Sequence, residues 1–319
     1  MKFICKKTTE LTAAQKQGLV DLFNEVFDKE RTVEEFDRQF LNNDEGYSYH
    51  TFAEDEGGKV VAANTLVPAI YHVGDKTLRF CNSVDTMIAK SYRGLENFYD
   101  MSNVSFNYGR EKGFDAVYGF PNDNSYELYV QLKFMKDVGK LDTYFIPYRI
   151  GGIKKGLRFL NPLSMLFCRL WAWCSSMTAS SKSVDFHIAK DAESYNTTRY
   201  KRGDGHYSYA SVVNTTMVYK IMEYQEVRTA FIIDIYDKSA RAFAKAAAYL
   251  LKHEGKNFDL ILYVGSLPFG NTGMIRFPRK YEPKHFNFTA GIFNGKVIDK
   301  GEFFKIENWD VNLSNYDLI

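Results

Sequence analysis

Apolar and polar positions along this chain follow two periods, and these divide it into elements. Phe3–Lys7 reads as a short strand, and Ala13–Phe27 as a helix with Leu19, Leu22, Phe23, Val26 and Phe27 on one face. Val33–Phe40 continues the helical pattern. His50–Ala53, Val60–Leu66 and Ala69–Val73 then read as strands, with Gly57-Gly58 and Gly74-Asp75 as turn signals.

The stretch from Asp85 to Lys140 is the most informative. Ser83–Ala89 is an apolar run holding one aspartate, which suits an internal strand closed by Tyr92-Arg93-Gly94. Phe98, Met101, Val104 and Tyr108 recur at helical spacing, and Glu111-Lys112-Gly113 ends that helix. Asp115–Phe120 is a second strand. Asn122–Ser125 is rich in residues that cap a helix over Tyr126–Leu132. On that helix Leu128 and Leu132 share one face, while Tyr129 joins Tyr126 and Lys133 on another, so Tyr129 is expected to be exposed. A turn from strand to helix gathers unsatisfied N–H groups at a positive helix end, which suits a phosphate or pyrophosphate.

The second half repeats strand, helix, strand. Thr229–Tyr236 is β-branched and aromatic, Ser239 is placed to cap a helix ending at Gly255, and Phe258–Val264 is the next strand. Tyr207–Val213 and Thr216–Ile221 precede them as strands. The turn after Tyr236 is only Asp237-Lys238-Ser239, with no Arg-x-x-Gly, so any phosphate site is expected in the first half.

These residues resemble the GNAT superfamily of acyl-CoA-dependent N-acyltransferases. The family's pyrophosphate loop reads Arg/Gln-x-x-Gly-x-Gly/Ala after its fourth strand. Here the aligned run is Tyr92-Arg93-Gly94-Leu95-Glu96-Asn97-Phe98, with both signature glycines replaced, by Glu96 and Phe98. The family's later Asn, Leu-Tyr and Gly-Phe correspond to Asn122, Leu128-Tyr129 and Lys133-Phe134. Phe-Pro-Asn-x-x-Ser-Tyr, Thr198-Arg199-Tyr200 and Asn308-Trp309 are similar to GNAT-like proteins of surface-polysaccharide gene clusters, though Thr198 departs from their usual Trp. The resemblance implies an α/β fold of two tandem GNAT-like domains, each a mixed, mostly antiparallel sheet flanked by helices. Residues 1–150 form the acyl-CoA domain, 151–195 a connecting segment, and 196–319 a domain without a phosphate loop.

The implied activity is transfer of an acetyl group from acetyl-CoA to an amine, such as an amino sugar. A Fem-type aminoacyl transferase and a non-catalytic binding protein are the alternatives. The implied donor site is Arg93, Gly94, Leu95, Glu96, Asn97 and Phe98, with Asn122 and Asn124 on the pantetheine and the backbone N–H at or beside Ile88 on the carbonyl. Tyr129 aligns with the tyrosine that protonates the leaving sulfur, and Asp85 is the candidate base or amine-binding group. Glu96 opposes a pyrophosphate by charge, and Phe98 is expected to crowd the loop.

Composition narrows this only a little. The 45% hydrophobic and 25% charged content is ordinary for a globular protein, and a net charge of +2 gives no argument for nucleic acid. Cys5, Cys81, Cys168 and Cys174 have no metal-ligand spacing, so no metal is expected. Met1–Lys7 lacks an apolar signal core, making a cytoplasmic location the expectation. Residues 158–176 are strongly apolar yet too short and interrupted for a membrane span. A helix buried between the halves is the first reading. A helix resting on a membrane, with Trp171, Trp173 and nearby basic residues, is the second.

Overall fold

The computed structural model describes residues 1–202, 206–282 and 285–316. Its first half runs β1 (Phe3–Lys7), α1 (Ala13–Phe27), α2 (Val33–Leu41), β2 (Tyr49–Glu54), β3 (Val60–Val73), β4 (Lys76–Ile88) and α3 (Leu95–Glu111). β5 (Ala116–Gly119), α4 (Asp123–Gln131), β6 (Lys136–Lys140), β7 (Asp142–Ile146), α5 (Ile150–Ile153) and α6 (Asn161–Thr178) follow. The second half comprises β8 (Ile188–Lys190), α7 (Ala192–Thr197), β9 (Ser208–Val212), β10 (Thr215–Tyr224), β11 (Val227–Ile235) and α8 (Ala240–His253). It closes with β12 (Leu260–Gly265), β13 (Ile275–Arg276), β14 (Asn287–Ile292) and α9 (Lys300–Phe303).

These strands make two mixed sheets, each flanked by helices. The first has the order β1-β2-β3-β4-β5-β14-β6, with β8 added to β3, and the second the order β13-β7-β12-β11-β10-β9. The repeated unit is visible in both, as a parallel pair joined by a helix: β4–α3–β5 and β11–α8–β12. The sheets also exchange one strand each. β14, late in the chain, pairs antiparallel with β5, while β7, from the first half, pairs antiparallel with β12. Hydrogen bonding therefore crosses the division between 150 and 196 in both directions.

Side-chain alternation along β3 explains the layers of the first sheet. Val61 and Ala63 face Leu19, Leu22, Phe36 and Phe40 of α1 and α2, whereas Ala62 and Leu66 face Phe98, Met101 and Phe106 of α3. β3 continues through Pro68, where the sequence pattern predicts a break. Pairing to β2 ends at Leu66 and pairing to β8 begins at Tyr71, so this length of β3 has one open edge and tolerates a residue without an N–H. A third cluster joins the halves around Trp309, which is fully buried against Phe288 and Phe303, its indole N–H donating to the Phe303 carbonyl at 2.6 Å. Arg199 is also buried and donates to the carbonyls of Ser314 and Tyr316.

The first reading of residues 158–176 is overturned. α6 packs Cys168, Ala172 and Ser175 toward α8 and turns its large apolar side chains outward. The distribution of sizes explains this, since only the face of small residues allows close approach of the alanine-rich α8. No described helix is long and apolar enough to cross a membrane.

Burial also predicts a pH dependence. His50 is fully buried between the Thr8 and Thr65 hydroxyls, each 2.9 Å from a ring nitrogen, and against the rings of Phe36 and Phe40. Desolvation, aided by Lys16, lowers its pKa from 6.5 to about 3. The folded state thus holds the ring neutral while the unfolded state takes up a proton below pH 6.5. Stability from this group is complete above that pH and falls by up to about 1.4 kcal/mol per pH unit toward pH 3. Urea midpoints for wild type and His50→Gln at pH 7 and pH 4.5 should show a smaller acid loss in the variant; equal losses would contradict this origin.

Candidate active site

β4 and β5 pair in parallel only where Phe80–Asn82 lie opposite Ala116–Tyr118. Beyond these residues the strands diverge around a cavity of about 300 Å³. Ser83–Thr86 of β4 form one wall and Gly119-Phe120-Pro121 the other. Phe23 and Arg31 close it from the side of α1, and Phe286, Asn287 and Tyr316 from the exchanged C-terminal part.

A β-bulge shapes the β4 wall. Thr65 pairs with Val84 and Ala63 with Met87, so Asp85 and Thr86 together stand opposite Asn64. Asp85 takes the left-handed conformation, with φ 48°, which aspartate tolerates better than most residues. Asn64 fills the bulge. Its amide nitrogen donates to Ser83 Oγ and Thr86 Oγ1, both at 2.9 Å, and its oxygen accepts from Ser105 Oγ at 2.7 Å. Thr86 Oγ1 in turn lies 2.8 Å from the Tyr129 hydroxyl.

Tyr129 lines the cavity but is 2% exposed, which overturns the expectation of an exposed side chain. α4 begins at the Asn122 cap and lies across the sheet, so the face carrying Tyr129 turns inward onto Phe98 at 5.0 Å and Phe106 at 6.0 Å. Burial raises the phenol pKa, partly offset by hydrogen bonds with Thr86, Ser83 and Ser102. The phenol therefore stays protonated at neutral pH.

Asp85 Oδ2 accepts from Arg31 Nη1 at 2.5 Å, and the guanidinium lies 3.3 Å from the centre of the Phe23 ring. Asn24 fixes Arg31 by bonding both its backbone N–H and C=O. Asp85 Oδ1 has no partner among the described residues. Two further acceptors on the cavity, Asn82 Oδ1 and Asn287 Oδ1, are buried without a hydrogen-bond donor among the described residues.

No protein-family model and no curated protein matches the sequence. Solved structures do match. A GCN5-related N-acetyltransferase from Anabaena variabilis is 13% identical, with 92% of this chain and 73% of that chain covered and a TM-score of 0.58. A GCN5-related N-acetyltransferase from Kribbella flavida is 12% identical, with 92% and 72% covered and a TM-score of 0.57. A probable N-acyltransferase from Enterococcus faecalis is 12% identical, with 92% and 73% covered and a TM-score of 0.55. The fold is that of the GCN5-related N-acetyltransferases. At these identities the likeness concerns the fold alone.

Within this GNAT fold the sequence-predicted donor residues lie at the start of α3. Gly94 is its N-cap and provides no side-chain cap, and the first helical bond runs from Phe98 N–H to Gly94 O at 3.1 Å. The N–H groups of Leu95, Glu96 and Asn97 thus have no intrahelical partner. Leu95 and Glu96 are exposed, and Asn97 bonds the Tyr92 carbonyl. Phe98 points into the core, which corrects the expectation that it crowds the loop: its ring sits under the helix beside Tyr129. Arg93 Nε donates to the Ile88 carbonyl at 3.2 Å. Ala89 N–H bonds Val61 O, so by the alternation of an antiparallel ladder Ile88, opposite Ala62, directs its N–H and C=O away from β3. Asn122 Oδ1 is occupied in capping α4, where it accepts from Ser125 N–H, and Asn124 is exposed outside the cavity.

The corresponding turn of the second sheet is closed. Ser239 caps α8 by accepting from Ala242 N–H. Lys238 is buried on Asp234 and Asp310, each at 2.8 Å, while the C-terminal segment bridges Gly265 to Asn312 across the mouth beside β12. Asp85, Ile88 and Tyr129 are recognisable from their place in the sequence, whereas Arg31, Asn64, Thr86, Asn82 and Asn287 join the site only through the fold. Arg31 and Asn287 come from remote chain positions, and Asn64 matters only because a bulge faces it. Among the described residues no His, Cys, Asp and Glu group could hold a metal ion.

Proposed function

We propose that this protein is an acyl-CoA-dependent N-acyltransferase that moves an acetyl group to the amine of an amino sugar. The observation that carries this reading is the opened β4–β5 pair, with the Tyr129 phenol in its wall and an uncapped helix start at the end of β4. The pyrophosphate belongs over the N–H groups of Leu95–Asn97, with Arg93 beside it. The acyl carbonyl belongs against the Ile88 N–H, which would stabilise the developing oxyanion.

The amine attacks the thioester carbon, the C–S bond breaks, and the thiolate takes a proton from Tyr129. The amine attacks as the neutral base, and the proton lost from its nitrogen, cationic once the C–N bond has formed, restores the phenol. Thr86 Oγ1 accepts from Asn64, so it is free to donate to Tyr129 and leave the phenolic O–H for sulfur. Asp85 Oδ1 suits an ammonium group. The donor-less oxygens of Asn82 and Asn287 suit sugar hydroxyls, and Phe23, Phe120 and Phe286 offer apolar surface to a sugar ring.

Thermal unfolding with acetyl-CoA tests the donor. At about 100 times its dissociation constant the ligand should stabilise the fold by ~2.7 kcal/mol. An unchanged melting temperature at millimolar acetyl-CoA would refute the reading. Glu96→Gln removes one negative charge at the helix start and should tighten binding by about two- to fivefold. Weaker binding in that variant would give Glu96 a favourable contact with the ligand.

A further inference from the structure

α6 has an unusual distribution of side chains. Leu163, Leu166, Leu170, Trp173 and Met177 recur at three- and four-residue intervals on one face, each more than half exposed, with Phe167 and Trp171 beside them. The opposite face, Cys168, Ala172 and Ser175, is buried toward α8. Such a stripe exceeds the scattered exposure normal for a surface helix.

Charge along the segment that carries the stripe has one sign. No Asp or Glu occurs between Asp142 and Asp185, whereas Arg149, Lys154, Lys155, Arg158, Arg169 and Lys182 fall in that interval. Arg149 pairs with Asp259; Lys154, Lys155, Arg158 and Arg169 are exposed and pair with no described carboxylate. Lys154, Lys155 and Arg158, together with Arg169 over the Tyr148 ring, accompany an exposed apolar stripe with two indoles, and the combination complements an anionic headgroup layer over hydrocarbon. Because one side of α6 is fixed against protein, the helix cannot be surrounded by lipid and must lie along the interface. A second copy fits less well, since a twofold contact through this face would set its cations against one another with no carboxylate in the segment to neutralise them.

We propose that α6 seats the protein on the surface of a membrane rich in anionic phospholipid, with Leu166, Leu170 and Trp173 entering the acyl boundary and Lys154, Lys155 and Arg158 meeting headgroups. This does not depend on the acyltransferase reading. The test is co-sedimentation of the full chain with phosphatidylcholine vesicles, with and without phosphatidylglycerol. The protein should partition into the anionic vesicles and be released by high salt. Brominated acyl chains should quench Trp171 and Trp173, while the buried Trp309 remains unquenched. Lys154→Gln/Lys155→Gln/Arg158→Gln should weaken partitioning by about fivefold per cation, on the order of 100-fold in all. Leu166→Glu/Leu170→Glu changes only exposed positions, so it should fold normally and lose vesicle binding. Failure to bind anionic vesicles overturns the proposal. So does binding without indole quenching, or a dimer that Leu166→Glu/Leu170→Glu dissociates in the absence of lipid binding.

Discussion

Replacing Tyr129 by phenylalanine should lower turnover by roughly 10- to 1,000-fold while leaving acetyl-CoA affinity nearly unchanged. The ring is held by Phe98 and Phe106, and these contacts survive the change. Loss of the hydroxyl removes the acceptor of the Thr86 O–H, but Thr86 Oγ1 still accepts from Asn64, so the bulge keeps its anchoring bond. The loss should therefore appear in kcat rather than in folding. Burial raises the pKa of the phenol above its usual value, so its protonated form persists through pH 7–9 and no alkaline loss of rate from Tyr129 is expected there. Steady-state rates at saturating donor and acceptor, with matched circular dichroism, check this. Undiminished kcat would remove Tyr129 from the chemistry and leave it a packing residue.

A comparably large effect, on stability, is expected from Asp234→Asn. Asp234 is fully buried between Lys190 at 3.0 Å and Lys238 at 2.8 Å, and also accepts from Asn312 Nδ2 at 2.7 Å. Burial alone would push its pKa up, but the two ammonium groups hold the carboxyl well below its ordinary range. Neutralising it leaves two buried cations with only Asp310, and breaking such a group costs about 3–5 kcal/mol. The folded pKa lies below the unfolded one, so the stabilisation is present above about pH 4 and is lost as pH falls through the folded value. Urea unfolding at pH 7 should show the full loss, and the variant should be less sensitive to further acidification. A loss under about 1 kcal/mol would contradict a desolvated cluster.

How far the sequence could be read depended on whether a feature was local. The strand, helix and strand around Ser83–Phe120 and Thr229–Val264 follow from periodicity and caps and appear as β4–α3–β5 and β11–α8–β12, although β4 begins at Lys76, well before the expected Ser83. The strand exchange was not legible. β7 and β14 are each ordinary β-branched or aromatic runs, and nothing local says which sheet will receive them. Pro68 misled because its tolerance depends on a gap between two neighbouring strands. Tyr129 was placed on the wrong face because helical periodicity over one short turn does not reveal how α4 lies on the sheet. For α6 the apolar content was plain, but its buried side is the one with small residues, which reverses the usual amphipathic rule.

The candidate site divides in the same way. Tyr129 and Asp85 both reach the β4–β5 opening, whereas Arg93–Asn97 lie at the helix start beyond β4 and Asn124 stands apart. The Arg31–Asp85 pair joins residues 54 positions apart, so the aspartate could be noticed but its partner could not. The bulge that turns Asp85 and Thr86 into the opening is a property of pairing with β3, visible only once the sheet is formed.

A crystal structure of the full chain with acetyl-CoA would show whether the donor occupies the β4–β5 opening. One molecule should bind per chain, its pyrophosphate over the N–H groups of Leu95–Asn97 and its thioester between β4 and β5, with sulfur near the Tyr129 hydroxyl. Acetyl-CoA bound instead at Asp237–Ser239, or a β4–β5 opening left empty at saturating ligand, would contradict this placement.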